Sequence, residues 1–195
     1  MNNISVESLQ KSEKGSFVGV TNDREAHPKY WIAILVQMNT EKAVSSKLTK
    51  LGITNYVPTQ CEIHQWSDRR KRVERIVIPM VVFVNIDQET EKKLKTYSFV
   101  YKCISYPGMK EAAHIPDVQI ENLRFMLENA DSSVEINDGR FHIGETVEIT
   151  KGPLKGLYGE LCYFEEDKPM VGIYLEMLGY ACVNVNKRYI KSKNT

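Results

Sequence analysis

Two apolar runs of strand length constrain this chain more than any other feature. They are Trp31-Ile32-Ala33-Ile34-Leu35-Val36 and Val81-Val82-Phe83-Val84-Asn85-Ile86. Successive side chains on a strand point to opposite faces. Trp31, Ala33 and Leu35 therefore share one face, and Ile32, Ile34 and Val36 the other. Val81 and Phe83 likewise oppose Val82, Val84 and Ile86. A sheet built from such strands is apolar on both sides and needs a covering layer on each. The first half of the chain offers two well-patterned helices, and antiparallel sheets usually gather their helices on one face. The second face is then either an open apolar patch kept for a partner, or it is covered by the C-terminal part or by a second copy of the chain.

The pattern around these strands predicts an α+β sandwich. Residues 1–28 read as a flexible tail of Ser, Asn, Lys and Glu. A helix is expected from Thr40 as N-cap, with Val44, Leu48 and Leu51 as its buried stripe and Gly52 at its end. A strand over Ile53–Gln65, with Pro58 at an edge or bulge, and another over Ile76–Ile86 enclose a charged stretch and so predict a long hairpin with a basic tip. Glu89–Lys95 is a short helix or loop, and Phe99–Tyr106 a fourth strand. A last helix begins at Pro116-Asp117 with Ile120, Leu123 and Leu127 as its stripe. Residues 130–143 read as a linker. Residues 144–191 hold six of the eleven glycines and no helical period, which predicts short strands with tight turns closed into a small β-barrel.

Several functions are disfavoured by what the chain contains. The 195 residues are 42% apolar and 26% charged, ordinary for a soluble globular protein, and no apolar run approaches the roughly 20 residues of a membrane span. No signal-peptide core is present near the start, so the cytoplasm is the expected compartment. Cys61, Cys103, Cys162 and Cys182 form no ligand spacing with one another or with the four histidines, so neither a disulfide framework nor a metal site is expected. No nucleophile–base set stands out, and Gly152-Pro153-Leu154-Lys155-Gly156 lacks the ending of a phosphate loop, so no enzyme and no cofactor are expected. The net charge is +1, yet Arg69, Arg70, Lys71, Arg72 and Arg75 are concentrated at one place against Asp68 and Glu74.

At this point the residues resemble a known family. Trp31, Glu41-Lys42, Tyr56-Val57-Pro58, Pro79 with Val82-Phe83-Val84, and Ile115-Pro116-Asp117 resemble successive motifs of the NusG N-terminal domain, over residues 29–129. Gly144-Glu145-Thr146-Val147-Glu148-Ile149, followed by Gly152-Pro153-Leu154-Lys155-Gly156 and Gly159, is similar to the KOW module that follows it in that family, over residues 144–195. Gln65-Trp66-Ser67-Asp68-Arg69-Arg70-Lys71-Arg72 resembles the UpxY antiterminators of capsular-polysaccharide operons.

The resemblance implies a monomeric transcription elongation factor that suppresses pausing or termination at a polysaccharide locus. It implies that one sheet face docks on the clamp helices of RNA polymerase through Leu35, Ile78, Val81, Phe83, Cys103 and Tyr106. Arg69, Arg70, Lys71 and Arg72 would then reach upstream or non-template DNA by phosphate neutralisation, with Lys42, Lys47 and Lys50 on the first helix adding to that surface. The KOW module would recruit a ribosomal protein or the termination factor Rho. A housekeeping NusG, a ribosome- or RNA-binding KOW protein, and a structural homodimer that hides the apolar face are the competing expectations.

Overall fold

The first strand, β1 (Tyr30–Leu35), becomes the interior strand on which the first sheet is built. The computed structural model describes residues 28–65, 70–137, 142–163 and 169–193; the expected flexible tail lies almost wholly outside them. After β1 come α1 (Glu41–Lys50), β2 (Thr54–Tyr56), β3 (Thr59–Gln65), β4 (Arg70–Ile76), β5 (Val81–Ile86) and α2 (Gln88–Leu94). Then follow β6 (Lys102–Cys103), α3 (Asp117–Asn129), β7 (Glu135–Asn137), β8 (His142–Ile149), β9 (Tyr158–Tyr163), β10 (Pro169–Leu175), β11 (Gly179–Asn184), a short 3-10 turn and β12 (Ile190–Ser192). The fold is mixed, with few helices and several sheets.

The first sheet has the order β2-β5-β1-β6 and is antiparallel throughout. Ala33 faces Phe83 and Leu35 faces Val81, while Ile32 and Ile34 face Val84 and Val82. The two apolar faces expected from the sequence are present. Their cover differs from the expectation: the helices are divided between them. Ile32, Ile34, Val36, Val82, Val84 and Ile86 share a core with Val44 and Leu48 of α1 and Leu94 of α2. The opposite face packs with Ile120, Leu123, Met126 and Leu127 of α3. A third helix was available because Asp87 caps α2, accepting from the Thr90 N–H at 2.7 Å. The sequence left that segment between helix and loop.

Local chemistry accounts for the other departures. The run expected as one strand from Ile53 to Gln65 is split at Pro58, which lacks an N–H for the ladder. The run from Ile76 to Ile86 is split at Pro79-Met80, where Met80 adopts φ 65°. That turn is held by Glu41, whose buried carboxylate accepts the Met80 N–H at 2.8 Å. As a result β3 and β4 leave the sheet as a separate two-stranded ribbon, the expected hairpin. Thr40 holds the N-cap position of α1 as expected, but its hydroxyl donates to the Gln37 carbonyl rather than capping the helix, and Leu51 is exposed rather than part of the stripe. The expected strand Phe99–Tyr106 shrinks to β6, because Val100 turns back onto the Tyr97 carbonyl and leaves the ladder.

In the C-terminal part, six strands run β12-β8-β9-β10-β11-β7. No pairing joins β12 to β7 among the described residues, so the expected closed barrel is an open antiparallel sheet here. β7 lies within the segment expected to be a linker, which is correspondingly shorter. Val147, Ile149, Leu161, Val171, Ile173 and Val183 line one side, and they belong to the same apolar cluster as Phe83 and α3. The two sheets thus share a continuous core.

Two glycines set the spacing of this second sheet. A Cβ on Gly159 would stand 2.7 Å from the Gly172 carbonyl oxygen, a backbone atom that cannot swing aside. Gly159→Ala is therefore expected to destabilise the chain by about 1–3 kcal/mol, measured as a lower urea midpoint. Gly108→Ala, with open space around the added methyl, is strained only through its φ of +80° and should cost less.

Candidate interaction surfaces

The basic hairpin is anchored at its base and projects from there. Arg75 donates to Glu62 at 2.5 Å, to Ser133 Oγ at 2.7 Å and to the Val134 carbonyl at 2.9 Å. Buried Gln60 donates to the Ser132 carbonyl at 2.9 Å and accepts the Val134 N–H at 2.8 Å. These bonds clip the segment after α3 onto the hairpin. Glu74 adds a third anchor, accepting from Lys42 of α1 and from Thr59 at 3.0 Å. Its carboxyl is held below the ordinary glutamate range by the Lys42 and Thr59 hydrogen bonds. Arg75 and Lys42 are therefore ties within the chain. Lys47, another expected contributor, lies over the Phe99 ring at 5.4 Å. Arg70, Lys71 and Arg72 lie on β4, and Arg72 is exposed. Arg69 lies outside the described residues.

The six apolar residues expected to form one open face are divided by the register. Leu35, Val81 and Phe83 are on the α3 side of the sheet, in one core with Ile78. Cys103 pairs with Ile34 and so belongs to the α1–α2 side, where burial pushes its thiol up. Tyr106 stands beyond β6, with 37% of its surface exposed. Nor is the face open. Phe83 is 0%, Val81 3% and Ile78 6% exposed, because α3 and the C-terminal sheet cover the side that the expected two-helix arrangement would leave bare. Leu35 is the member of this face that remains half-buried.

Aromatic packing shows why α3 takes this position. The Tyr56 and Phe83 rings stack with centroids 6.1 Å apart. The Arg124 guanidinium of α3 lies 4.6 Å from the Tyr56 ring centre and 5.4 Å from that of Trp31. A cation over aromatic faces is an attraction of about 0.5–2 kcal/mol depending on desolvation. Burial pushes the Tyr56 hydroxyl up to about 12, with Arg124 acting the other way.

The C-terminal sheet closes over the end of α3. Tyr106 donates to Glu176 at 2.8 Å, and the Glu176 N–H donates to Gln119 Oε1 at 2.8 Å. Leu178, in the same turn between β10 and β11, packs on the shared core, as do Ile104 and Leu35 elsewhere on it. Sequence reading missed Glu176, Gln119, Gln60 and Arg124, whose partners are at least 50 positions away. No local pattern carries that information. Among the described residues no helix is long and apolar enough to cross a membrane.

Residues 29–124 match the family model described as transcription termination factor nusG. No curated protein matches the chain. A structure of Thermotoga maritima NusG, concerned with its domain interaction, is similar at 16% identity over 85% of this chain and 98% of that one, with a TM-score of 0.47. The crystal structure of the MjSpt4:Spt5 complex in conformation B is similar at 17% identity over 85% of this chain and 97% of that one, with a TM-score of 0.28.

The anchor at Glu74 carries a pH signature. A carboxyl lowered in the folded chain stabilises it above the ordinary glutamate range and loses that contribution as pH falls through the lowered value. Amides at the hairpin base should therefore lose protection, relative to their intrinsic exchange rates, as the pH falls through and below the ordinary glutamate range. Glu74→Gln should exchange faster at neutral pH and remove that acid step, as read by hydrogen exchange.

Proposed function

We propose, from the match of residues 29–124 to the NusG family model, that the chain is a transcription elongation factor acting on RNA polymerase to suppress pausing and termination. The family match is the observation that carries the reading, and the family is one of transcription factors rather than enzymes. No bond is made or broken in this role. Binding a closed state of the polymerase better than an open, paused one shifts the population toward elongation.

On this reading the docking surface is the α3 side of the first sheet. Leu35 and Tyr106 are its accessible members, and Ile78, Val81 and Phe83 are the packed layer that shapes it. Cys103, on the other side, serves the fold. The covered state described above is the resting state of the free chain. Separating the C-terminal sheet breaks the Tyr106–Glu176 and Glu176–Gln119 bonds and opens the shared core on the α3 side to a clamp-helix partner. A partner must replace these two hydrogen bonds, each worth about 0.5–1.5 kcal/mol net, and also the apolar contacts of the shared core. The exposed arginine edge of the hairpin then lies against upstream or non-template DNA, where phosphate neutralisation gives salt-sensitive and mostly sequence-independent attraction. The resemblance of residues 65–72 to the UpxY antiterminators supports action on a capsular-polysaccharide operon. The released C-terminal sheet is the element free to take a second protein partner, a ribosomal protein or Rho.

The reading is tested by transcription in vitro on a capsule-operon leader and on an unrelated leader. Readthrough raised on the capsule leader alone is the expected result; readthrough raised on both would make this a general factor, and no change on either would overturn the polymerase role. Leu35→Asp is expected to weaken capture of core polymerase by about tenfold or more while the chain stays folded by circular dichroism. Glu176→Ala, which unlatches the C-terminal sheet, should strengthen capture several-fold. Phe83→Asp is unsuited to the test, since a charge at a fully buried position would unfold the first sheet.

A further inference from the structure

A second basic region lies at the opposite edge of the first sheet, away from the hairpin. Residues 92–110 carry five lysines and no aspartate or glutamate, interleaved with Tyr97, Phe99, Tyr101 and Tyr106. The fold folds this stretch back on itself. Val100 donates to the Tyr97 carbonyl at 3.0 Å, and Tyr101 donates to the Leu35 carbonyl at 2.8 Å. The segment thus wraps the β6 edge, and Lys95, Lys102 and Lys110 line one cavity of about 270 Å³ with Val100, Tyr101 and Cys103.

The three lysines differ in availability. Lys95 is tied to Glu91 at 2.6 Å, one turn back on α2. Lys102 and Lys110 are exposed, and among the described residues neither joins an ion pair. Tyr101 is 59% exposed, so its ring stands in solvent beside two ammonium groups. Like charges held together repel one another and gain when an anion arrives. An aromatic face beside them offers a stacking platform, and that combination is how proteins hold single-stranded nucleic acid. The cavity is just below the range of about 300–1,000 Å³ that encloses a small molecule, which suits a single nucleotide unit held in an open site. Glu91 and Glu111 are the nearby acidic groups, and both act on Lys95.

We propose that the β6 edge is a nucleic-acid contact separate from the hairpin, where Lys102 and Lys110 hold successive phosphates of a single strand and Tyr101 stacks on a base. The sheet order places β6 at one end and β2, from which the hairpin departs, at the other. Three strand spacings of about 4.8 Å separate them, so a strand at β6 does not compete with one at the hairpin. The contact does not depend on polymerase docking and is a property of the free chain.

Fluorescence anisotropy with the full chain tests it, using a labelled oligothymidylate of about ten nucleotides, a duplex of equal length, and inorganic polyphosphate as competitor. Tyr101→Ala should weaken the single strand about tenfold and leave the duplex unchanged. Lys102→Gln with Lys110→Gln should weaken the single strand and flatten its dependence of log affinity on log salt by about 1.4, two phosphates at about 0.7 each. Arg72→Gln should reduce duplex binding and leave the size of the Tyr101→Ala effect on the single strand unchanged. All these positions are exposed, so unchanged thermal unfolding is expected and would be checked. Single-strand binding untouched by Tyr101→Ala, polyphosphate competing as well as the oligonucleotide, or an unmodified chain that binds no single strand would each overturn the assignment.

Discussion

The first sheet depends on covering both faces of β1 at once. Ile32 and Ile34 on one side and Trp31 and Ala33 on the other are all at or below 7% exposure. At about 25 cal/mol per Å² of apolar surface, leaving either face to water would remove much of the drive to form the sheet. The arrangement of α1 and α2 against α3 follows from that demand. So does the position of the C-terminal sheet, which completes the cover where α3 ends. The shared core is thus the resolution of a patterning problem posed by two short runs of sequence.

That resolution decides how a partner can be met. A permanently bare apolar face would be an aggregation hazard as well as a docking site. Here the face is kept by a cover that shares its apolar core and is joined to it by hydrogen bonds at Glu176 and Gln119. On the proposed docking, affinity for a large partner is reduced by the fraction of time the cover is closed. Among the described residues, basic groups stand at two opposite edges of the first sheet, on the hairpin at the β2 end and at β6.

Much of the architecture was legible in the residues. The α3 stripe of Ile120, Leu123 and Leu127, the apolar alternation of β1 and β5, and the positive φ at Gly52 all follow from local periodicity or local backbone need. What was illegible depends on distance. The split of the long strands needed Glu41 to reach Met80, and the cover of Phe83 needed α3 to find Tyr56 through Arg124. The assignment of Cys103 to the same face as Phe83 failed because β6 is only two residues long, so its register is set by β1 rather than by its own pattern. The basic tip was readable as a charge cluster, yet Arg75 was spent on Ser133 and Val134, partners that composition cannot name.

The clip between the hairpin and the segment after α3 has a mechanical consequence. Ser132 and Val134 are bound to Gln60 and Arg75, while the very next residue, Glu135, already belongs to β7 and pairs with Cys182 of the C-terminal sheet. The pivot between the two bodies is therefore little more than one pair of backbone torsions. A hinge so short transmits torque: swinging the C-terminal sheet outward either turns about that point or pulls directly on the root of the arginine-bearing ribbon.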